Sequence, residues 1–289
     1  MQGWGRFVLL ALGAILASGC GRGKATPEPY QFALLTDRPD GIYWQRVEQG
    51  FRRGLASFRV KIERYYPSDG GSIERDAGGL SGIVAMLQPG SESLDLLSKL
   101  SSVGVPVALV GGDLPGAVRA CVVRPNYFAI GREAAGDLIA AGARTITIAG
   151  SYDPPGAMKE LANGLFAAGR SDARIRVIEK ETNKKEEISN IVKEVGREGR
   201  NGLFLVGREA VEEFQKSADA SGSLPVAAIT ADTEQAKLLD TGRYRLLLID
   251  NAENAGYRAA RLLWDVSQGR SKVKDELIIP ILKLRPVAK

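Results

Sequence analysis

Three aspartates stand where short apolar runs end, and they are the first candidates for binding chemistry in this sequence. Asp113, Asp232 and Asp250 each follow such a run within three residues. A carboxylate accepts hydrogen bonds through two oxygens, and bonds to a charged acceptor are stronger than neutral ones. Loop carboxylates also form turns and cap helices, and Asp232, directly before Thr233 and Glu234, has the position of an N-cap.

Aromatic and amide side chains begin two stretches with helical spacing of apolar residues. Tyr43 and Trp44 open the first stretch, and Asn126 opens the second. Aromatic rings offer an apolar face for stacking, but core packing alone would also account for Tyr43 and Trp44. Asn126 suits the N-cap of its own helix. All three residues therefore have a structural and a ligand-binding interpretation.

Several kinds of catalytic chemistry have no residues to carry them. The chain of 289 residues has no histidine, and its cysteines are Cys20 and Cys121. Without histidine there is no Ser-His-Asp arrangement, no usual general base and little prospect of a zinc site. No Gly-x-Gly-x-x-Gly motif opens a helix after the first predicted strand, where a dinucleotide site requires it. We therefore predict no enzyme, no metal and no cofactor, and a buried Cys121.

The charge pattern argues against a nucleic-acid partner. Lysine and arginine number 39 and aspartate and glutamate 34, which gives a formal net charge of +5. The two signs alternate along the chain and form no long block of one sign. Such a pattern is typical of a solvated surface rather than of a track for nucleic acid.

The N-terminus has the three parts of a secretory signal: the single charge Arg6, the apolar run 7–16 and small residues before Cys20. This run is much shorter than the roughly 20 residues that a membrane-spanning helix needs. A cysteine after small residues resembles a bacterial lipobox, in which the thiol of Cys20 is acylated and Cys20 becomes the new N-terminus. We predict a lipoprotein signal peptide (1–19), a flexible tether (20–29) and an exported, lipid-anchored body; an ordinary secretory signal is the alternative.

From Gln31 onward, short apolar runs alternate with amphipathic stretches, and about ten strand–helix units follow one another. Continuously apolar strands indicate parallel sheets covered on both faces. Ten units are too many for one open sheet, so two doubly wound lobes are predicted, with ligands at the carboxyl ends of the strands. Leu277–Leu284 is predicted to be one final crossing strand. Four glycines are predicted to allow close helix–sheet packing: Gly50, Gly131, Gly164 and Gly256.

The loops also carry a resemblance to a known family. Its motifs are Ile42-Tyr43-Trp44 with Gly50, Gly104-Val105-Pro106-Val107 leading to Asp113, Arg124-Pro125-Asn126 with Gly131, Asn163-Gly164-Leu165, Asp232 after a strand, and Asp250 before Asn254-Ala255-Gly256. In this order they resemble the type I periplasmic sugar-binding proteins, the ribose- and galactose-binding family, whose architecture the lactose-repressor effector domain shares. The resemblance covers about residues 31–285.

This resemblance implies a periplasmic binding protein-like α/β fold whose lobes are joined by a three-crossing hinge. The lobes would comprise 30–124 plus 251–280 and 125–250 plus 281–289. A sugar or another small polar solute would bind between them, and the monomeric protein would deliver it to an ABC permease. The implied ligand-binding residues are Tyr43, Trp44, Asp113, Asn126, Asp232 and Asp250.

The sequence departs from the ribose binders at positions that contact the ligand in that family. Leu114 and Leu161 stand where the family has arginines, and Gly207-Arg208 replaces an Asn-Asp pair. The ligand is therefore expected to differ from ribose. The alternatives are a lipoprotein of the same fold that signals to a membrane kinase, an extracytoplasmic enzyme, and a diverged member without a ligand.

Overall fold

A computed structural model describes residues 29–69, 71–170, 176–197, 199–217, 224–271 and 275–286. The predicted signal peptide 1–19, Cys20 and all but the last residue of the predicted tether lie outside the described residues. Among the residues that are described, no helix is both long enough and apolar enough to cross a bilayer.

Strands and helices alternate through the first part of the chain, as the sequence predicts. They are β1 (Tyr30–Thr36), α1 (Ile42–Leu55), β2 (Val60–Tyr65), α2 (Ser72–Asp76), β3 (Gly82–Met86), α3 (Ser91–Ser102), β4 (Val107–Val110) and β5 (Cys121–Arg124). In α1, Tyr43, Val47, Phe51 and Leu55 recur about one turn apart and are all buried. Strands β3 and β4 are buried along their whole length, as expected for central strands covered on both faces.

The same alternation continues to the C-terminus. The elements are α4 (Tyr127–Ala140), β6 (Thr145–Gly150), α5 (Ala157–Gly169), β7 (Arg176–Glu181), α6 (Lys185–Arg197), β8 (Asn201–Val206), α7 (Arg208–Lys216), β9 (Val226–Thr230), β10 (Leu246–Ile249), α8 (Ala252–Ser267), β11 (Glu276–Ile278) and β12 (Leu282–Leu284). The helix predicted from about Glu234 is a 3-10 helix, Thr233–Thr241. It ends at Gly242, whose left-handed backbone (φ +70°) is a common helix stop.

The strands form two six-stranded sheets. The first has the order β2-β1-β3-β4-β5-β11 and the second β7-β6-β8-β9-β10-β12. Neighbouring strands among the described residues are parallel, apart from β12, which runs antiparallel to β10. Two parallel-sheet α/β lobes confirm the fold class that the sequence predicts.

The chain passes between the sheets three times: after β5, after β10, and between β11 and β12. The last passage corrects the single strand predicted over Leu277–Leu284. Pro280 lies in this stretch and has no N–H to donate to a strand ladder, and the chain changes sheets there. We retain the boundaries 30–124 plus 251–280 and 125–250 plus 281–289 as our proposal for the two units that move.

Glycines bring helices, rather than a helix and a sheet, into close contact. A Cβ on Gly50 of α1 would lie 1.8 Å from the carbonyl oxygen of Glu253, and one on Gly256 of α8 would lie 1.9 Å from that of Val47. A Cβ on Gly131 of α4 would likewise overlap the backbone of α5. The predicted helix–sheet contact is thus wrong at these glycines, because each faces the backbone of a neighbouring helix.

Candidate functional site

Asp250 is completely buried where the chain leaves β10. Its Oδ2 accepts hydrogen bonds from the hydroxyls of Tyr127 and Tyr152, each at 2.9 Å. Tyr127 begins α4 and Tyr152 follows β6, so one carboxylate joins three separate segments. The other oxygen, Oδ1, is buried and has no hydrogen-bond partner among the described residues.

Tyr43 brings the first lobe to this carboxylate. Its ring packs edge-on against Tyr152 with centroids 6.0 Å apart, and Tyr152 packs in the same way against Tyr127 at 6.0 Å. The Tyr43 hydroxyl is buried and, within the described part of the chain, has no hydrogen-bond partner. Buried polar groups are normally bonded to protein or to water. The lobes therefore meet at three tyrosine rings, beside the Tyr43 hydroxyl and Oδ1 of Asp250, for which the described part of the chain supplies no hydrogen-bond partner.

Burial controls the protonation of this cluster. It raises the pKa of Asp250 from 3.8 to about 6, and the hydrogen bonds from Tyr127 and Tyr152 oppose the rise. Burial first, and then the charge of Asp250, raise the pKa values of Tyr43, Tyr127 and Tyr152 well above their ordinary value. The tyrosines are therefore neutral at physiological pH, while the carboxyl group titrates just below neutrality.

Asp232 follows β9 and has both a structural and an electrostatic role. Its Oδ1 accepts the N–H of Glu234 at 3.1 Å, which confirms the predicted N-cap. Two guanidinium groups approach the same carboxylate: Arg46 from α1 at 3.8 Å and Arg208 from α7 at 3.5 Å. The first of these contacts crosses between the lobes. Beside it, Arg46 Nε and Gln235 Oε1 are buried without hydrogen-bond partners among the described residues.

Asp113 lies in a local ion pair of the first lobe. Its Oδ1 is 2.7 Å from Nε of Arg119 and its Oδ2 is 2.8 Å from Nη2, a two-point contact. The N–H of Leu114 donates to the same Oδ1 at 2.8 Å, and the Leu114 side chain is buried in the core. A role for Asp113 in ligand binding remains a prediction.

Trp44 and Asn126 occupy positions that the fold itself explains. Trp44 is almost completely buried and belongs to the hydrophobic core beside α1. The Oδ1 of Asn126 accepts the N–H of Ala129 at 2.9 Å and caps α4. Ligand contact by either residue remains a prediction.

Arg124 ties the first crossing to both lobes. From the end of β5 its Nε bonds Glu276 of β11 at 2.7 Å, and its Nη1 contacts Glu160 of α5. Glu276 lies on the edge strand of the first sheet, whereas Glu160 belongs to the second lobe. The Arg124 side chain therefore links the two lobes at the first crossing.

Sequence reasoning missed Tyr127, Tyr152 and Asp153 as site residues. Tyr152 and Asp153 follow β6 at its carboxyl end, so the rule that selected the aspartates could have selected them too. Asp153 is partly buried, and its Oδ2 accepts the N–H of Tyr43 at 3.4 Å. Among the described residues, no group of histidine, cysteine, aspartate or glutamate side chains is arranged to hold a metal ion.

Comparison with known proteins identifies the fold. No family model and no curated protein sequence matches the chain. GanP, a glucose-galactose binding protein from Geobacillus stearothermophilus, is similar with a TM-score of 0.74 and 17% identity, over 90% of this chain and 98% of that one. A solute-binding protein of an ABC transporter from Burkholderia graminis C4D1M, in complex with D-arabinose, gives a TM-score of 0.77 and 16% identity, over 90% and 96%.

A third solved structure, the XylFII-LytSN complex, contains a chain with a TM-score of 0.73 and 15% identity, over 90% of this chain and 99% of that one. The chain thus has the fold of the type I periplasmic binding proteins, which confirms the resemblance read from its loops. At these identities the similarity concerns the fold, and the chemistry of the ligand has to be argued from this chain's own residues.

Proposed function

We propose that this protein is an exported, lipid-anchored receptor that captures a small polar solute, a sugar or a polyol, between its two lobes. It then presents the solute to an ABC permease. Support comes from the fold, since solved neighbours include sugar-binding proteins and an ABC-transporter component, and from the signal-like N-terminus with Cys20.

One observation carries the binding function: Oδ1 of Asp250 is a buried carboxylate oxygen at the junction of the lobes, and it has no hydrogen-bond partner among the residues that the structure describes. Leaving such an atom unsatisfied is costly, on the order of 1–3 kcal/mol or more for a charged group. A hydroxyl donor on a solute would satisfy it, and the neighbouring Tyr43 hydroxyl can donate or accept a second bond.

The surroundings favour a neutral polyhydroxylated solute. The rings of Tyr43 and Tyr152 supply apolar surface beside the acceptor, and a sugar combines apolar faces with a rim of hydroxyls. Arg46 and Arg208 flank Asp232. Their guanidinium groups would donate hydrogen bonds to the hydroxyls of the solute, and the Asp232 carboxylate would accept hydrogen bonds from them. Closure of two lobes around such a solute would exclude water from these bonds.

A binding screen tests the proposal. The soluble body, residues 21–289, is melted with D-glucose, D-galactose, D-arabinose, D-xylose, myo-inositol and, as another class, amino acids. A bound solute stabilises by mass action, about 2.7 kcal/mol at 100 times its Kd. This gain corresponds to roughly 5–10 °C for a protein of this size. The hit is then measured by calorimetry.

Variants assign the site. Asp250→Asn keeps the shape but removes the charged acceptor, so it should weaken the best solute at least tenfold, and Asp232→Ala should weaken it too. Asp265→Asn is the matched control, because this aspartate lies on α8 in a surface contact with Arg270. If no sugar or polyol raises the melting temperature, or if Asp250→Asn binds as tightly as the parent, the proposed binding function is wrong.

Transport is tested in cells. Deletion of the gene should abolish high-affinity uptake of the radiolabelled solute, and a plasmid copy should restore it. Unchanged uptake together with an altered transcriptional response to the same solute would favour the signalling alternative instead.

A further inference from the structure

The loop from Ser151 to Gly156, which joins β6 to α5 in the second lobe, lies against the first lobe. Its residues Tyr152, Pro154 and Pro155 are buried. The loop leaves β6 at the carboxyl end, where open α/β sheets bind their ligands. The chain therefore places its own atoms in the region where a solute is expected.

Polar contacts fix this loop to the start of α1 and to the carboxyl end of β3 in the first lobe. Asp153 Oδ2 accepts the N–H of Tyr43 in the first turn of α1, where the helix dipole favours a negative charge. The side-chain amide of Gln88, which follows β3, donates to the carbonyl oxygen of Asp153 at 3.1 Å. On the side of the second lobe, the hydrogen bond from Tyr152 to Asp250 anchors the loop.

Glycines of the first lobe make room for the loop. A Cβ on Gly112, after β4, would lie 2.0 Å from the carbonyl oxygen of Pro155. A Cβ on Gly41, before α1, would lie 2.7 Å from Oδ2 of Asp153. The loop therefore approaches the end of β4 through the backbone of Pro155 and the start of α1 through the side chain of Asp153, and both approaches are closer than a side chain on the facing glycine would allow.

We propose that the 151–156 loop is a built-in latch that holds the two lobes together through the chain's own contacts, so that closure does not need a solute. The latch consists of the Asp153 contacts with α1 and Gln88 and the backbone contact between Pro155 and Gly112. Asp250 belongs both to the latch and to the proposed solute site, because Tyr152 donates to its Oδ2, whereas Oδ1 has no hydrogen-bond partner within the described ranges.

A latch of this kind makes binding competitive with self-closure. If only a fraction of the molecules has the loop withdrawn, the apparent Kd rises by the inverse of that fraction. Weakening the latch should then lower the apparent Kd by the ratio of the open populations. This consequence for affinity rests on the proposed function, whereas the latch itself does not.

The test measures the lobes without any solute. Spin labels are placed on Glu92→Cys and Lys237→Cys in the soluble body, residues 21–289, which lacks Cys20. Both positions are exposed, near the carboxyl ends of the first and second sheets, and native Cys121 is buried. Pulsed electron paramagnetic resonance in buffer should give one narrow distribution of the distance between the two labels in the parent protein.

Gly112→Ala inserts a methyl group against Pro155 and should lengthen and broaden the distance distribution. Gln88→Ala, which removes one hydrogen bond, should do so less strongly, and it provides a second variant if Gly112→Ala does not fold. Gly90→Ala is the matched control, because a Cβ there meets no atom within 4 Å. A shift in either variant with Gly90→Ala unchanged supports the latch.

Two results would overturn the latch: a broad distribution for the parent in buffer, or unchanged distances in both Gly112→Ala and Gln88→Ala. Neither result depends on the solute screen, so failure of the latch and failure of the proposed receptor function are separate outcomes.

Discussion

The hydroxyl of Tyr127 donates a 2.9 Å hydrogen bond to Oδ2 of Asp250, although 123 residues separate them in the chain. Tyr127 lies just after the first passage between the sheets and Asp250 at the second. The bond therefore ties two of the three hinge segments together in a buried position. Two predictions concern this cluster, a third concerns helix packing in the first lobe, and a fourth concerns the N-terminus.

Tyr127→Phe removes one of the two donors to Asp250 and leaves a buried carboxylate less satisfied. The free energy of unfolding at pH 7.5 should fall by about 1–3 kcal/mol, measured by urea denaturation. Because this hydrogen bond lowers the pKa of Asp250, its loss should also raise that pKa.

Tyr244→Phe is the matched control for Tyr127→Phe. The Tyr244 hydroxyl accepts a hydrogen bond from Gln215 at 3.0 Å and donates one to the carbonyl oxygen of Val211, away from Asp250. It should lose comparable stability without moving the titration of Asp250. An equal shift in both variants would show that Tyr127 does not act on the carboxylate directly.

Asp250→Asn should change the pH dependence of stability in a defined direction. The folded protein keeps the Asp250 proton up to about pH 6, whereas the unfolded chain releases it near 3.8. Between these values the folded state binds more protons, so the wild-type free energy of unfolding falls as pH rises, by about 3 kcal/mol from this group. The variant lacks this fall, so its stability relative to the wild type should increase from pH 4 to pH 7 and then level off.

For comparison, Glu48 should make the free energy of unfolding depend on pH in the opposite direction, and Glu48→Gln should remove that dependence. Burial acts to raise the pKa of Glu48, but its contacts with Arg64 and Arg52 outweigh burial and lower the pKa from 4.5. The stability it contributes is thus present above pH 4.5 and is lost as the pH falls below that value. For each variant, the free energy of unfolding is measured by urea denaturation at several pH values. If it changes with pH from 4 to 7 in Asp250→Asn as it does in the wild type, the pKa of Asp250 is not raised.

Gly256→Ala should destabilise the first lobe, because the new methyl group would lie 1.9 Å from the Val47 carbonyl oxygen and force α1 and α8 apart. Overpacking of this kind costs about 1–3 kcal/mol. Gly136→Ala in α4 meets no atom within 4 Å and should stabilise by about 0.5–1 kcal/mol through helix propensity. Thermal melts of the two variants should therefore shift in opposite directions, and a common direction would contradict the packing argument.

Cys20→Ala should abolish lipid attachment in a bacterial host. Radiolabelled palmitate should mark the wild-type protein and leave the variant unlabelled, and the membrane fraction should lose the processed form. Ser18→Ala keeps a small residue in the same segment and should remain labelled. Palmitate on Cys20→Ala, or none on the wild type, would contradict a lipoprotein signal.

The fold was predictable because its signals are local. Buried strands such as β3, β4 and β10 are continuous apolar runs, and helices such as α1 repeat apolar residues about one turn apart, so neighbouring residues alone identify them. The same rule failed over Leu277–Leu284, where apolar character continues across Pro280 but the chain changes sheets. Apolar runs report burial, and they do not report which sheet a strand joins.

The candidate site was only partly predictable because its contacts are long-range. Asp250 and Tyr43 were selected from their places at a strand end and a helix start, and the structure brings their segments together. Their partner Tyr152 forms a hydrogen bond across 98 residues, which no local spacing encodes. Asp113 shows the converse, since its partner Arg119 is only six residues away, yet an irregular loop gives no periodicity from which to infer the pair.

The three passages between the sheets also have a consequence for biogenesis. Helix α8 and strand β11 complete the first lobe, but they follow the whole run from α4 to β10 in the sequence. While the chain emerges during synthesis or export, the apolar face of α1 therefore has no α8 to cover it until residue 252 and beyond have appeared. The second lobe then lacks only its edge strand β12, so we expect it to gain structure first. A chain truncated before α8 should be captured by chaperones through its N-terminal half.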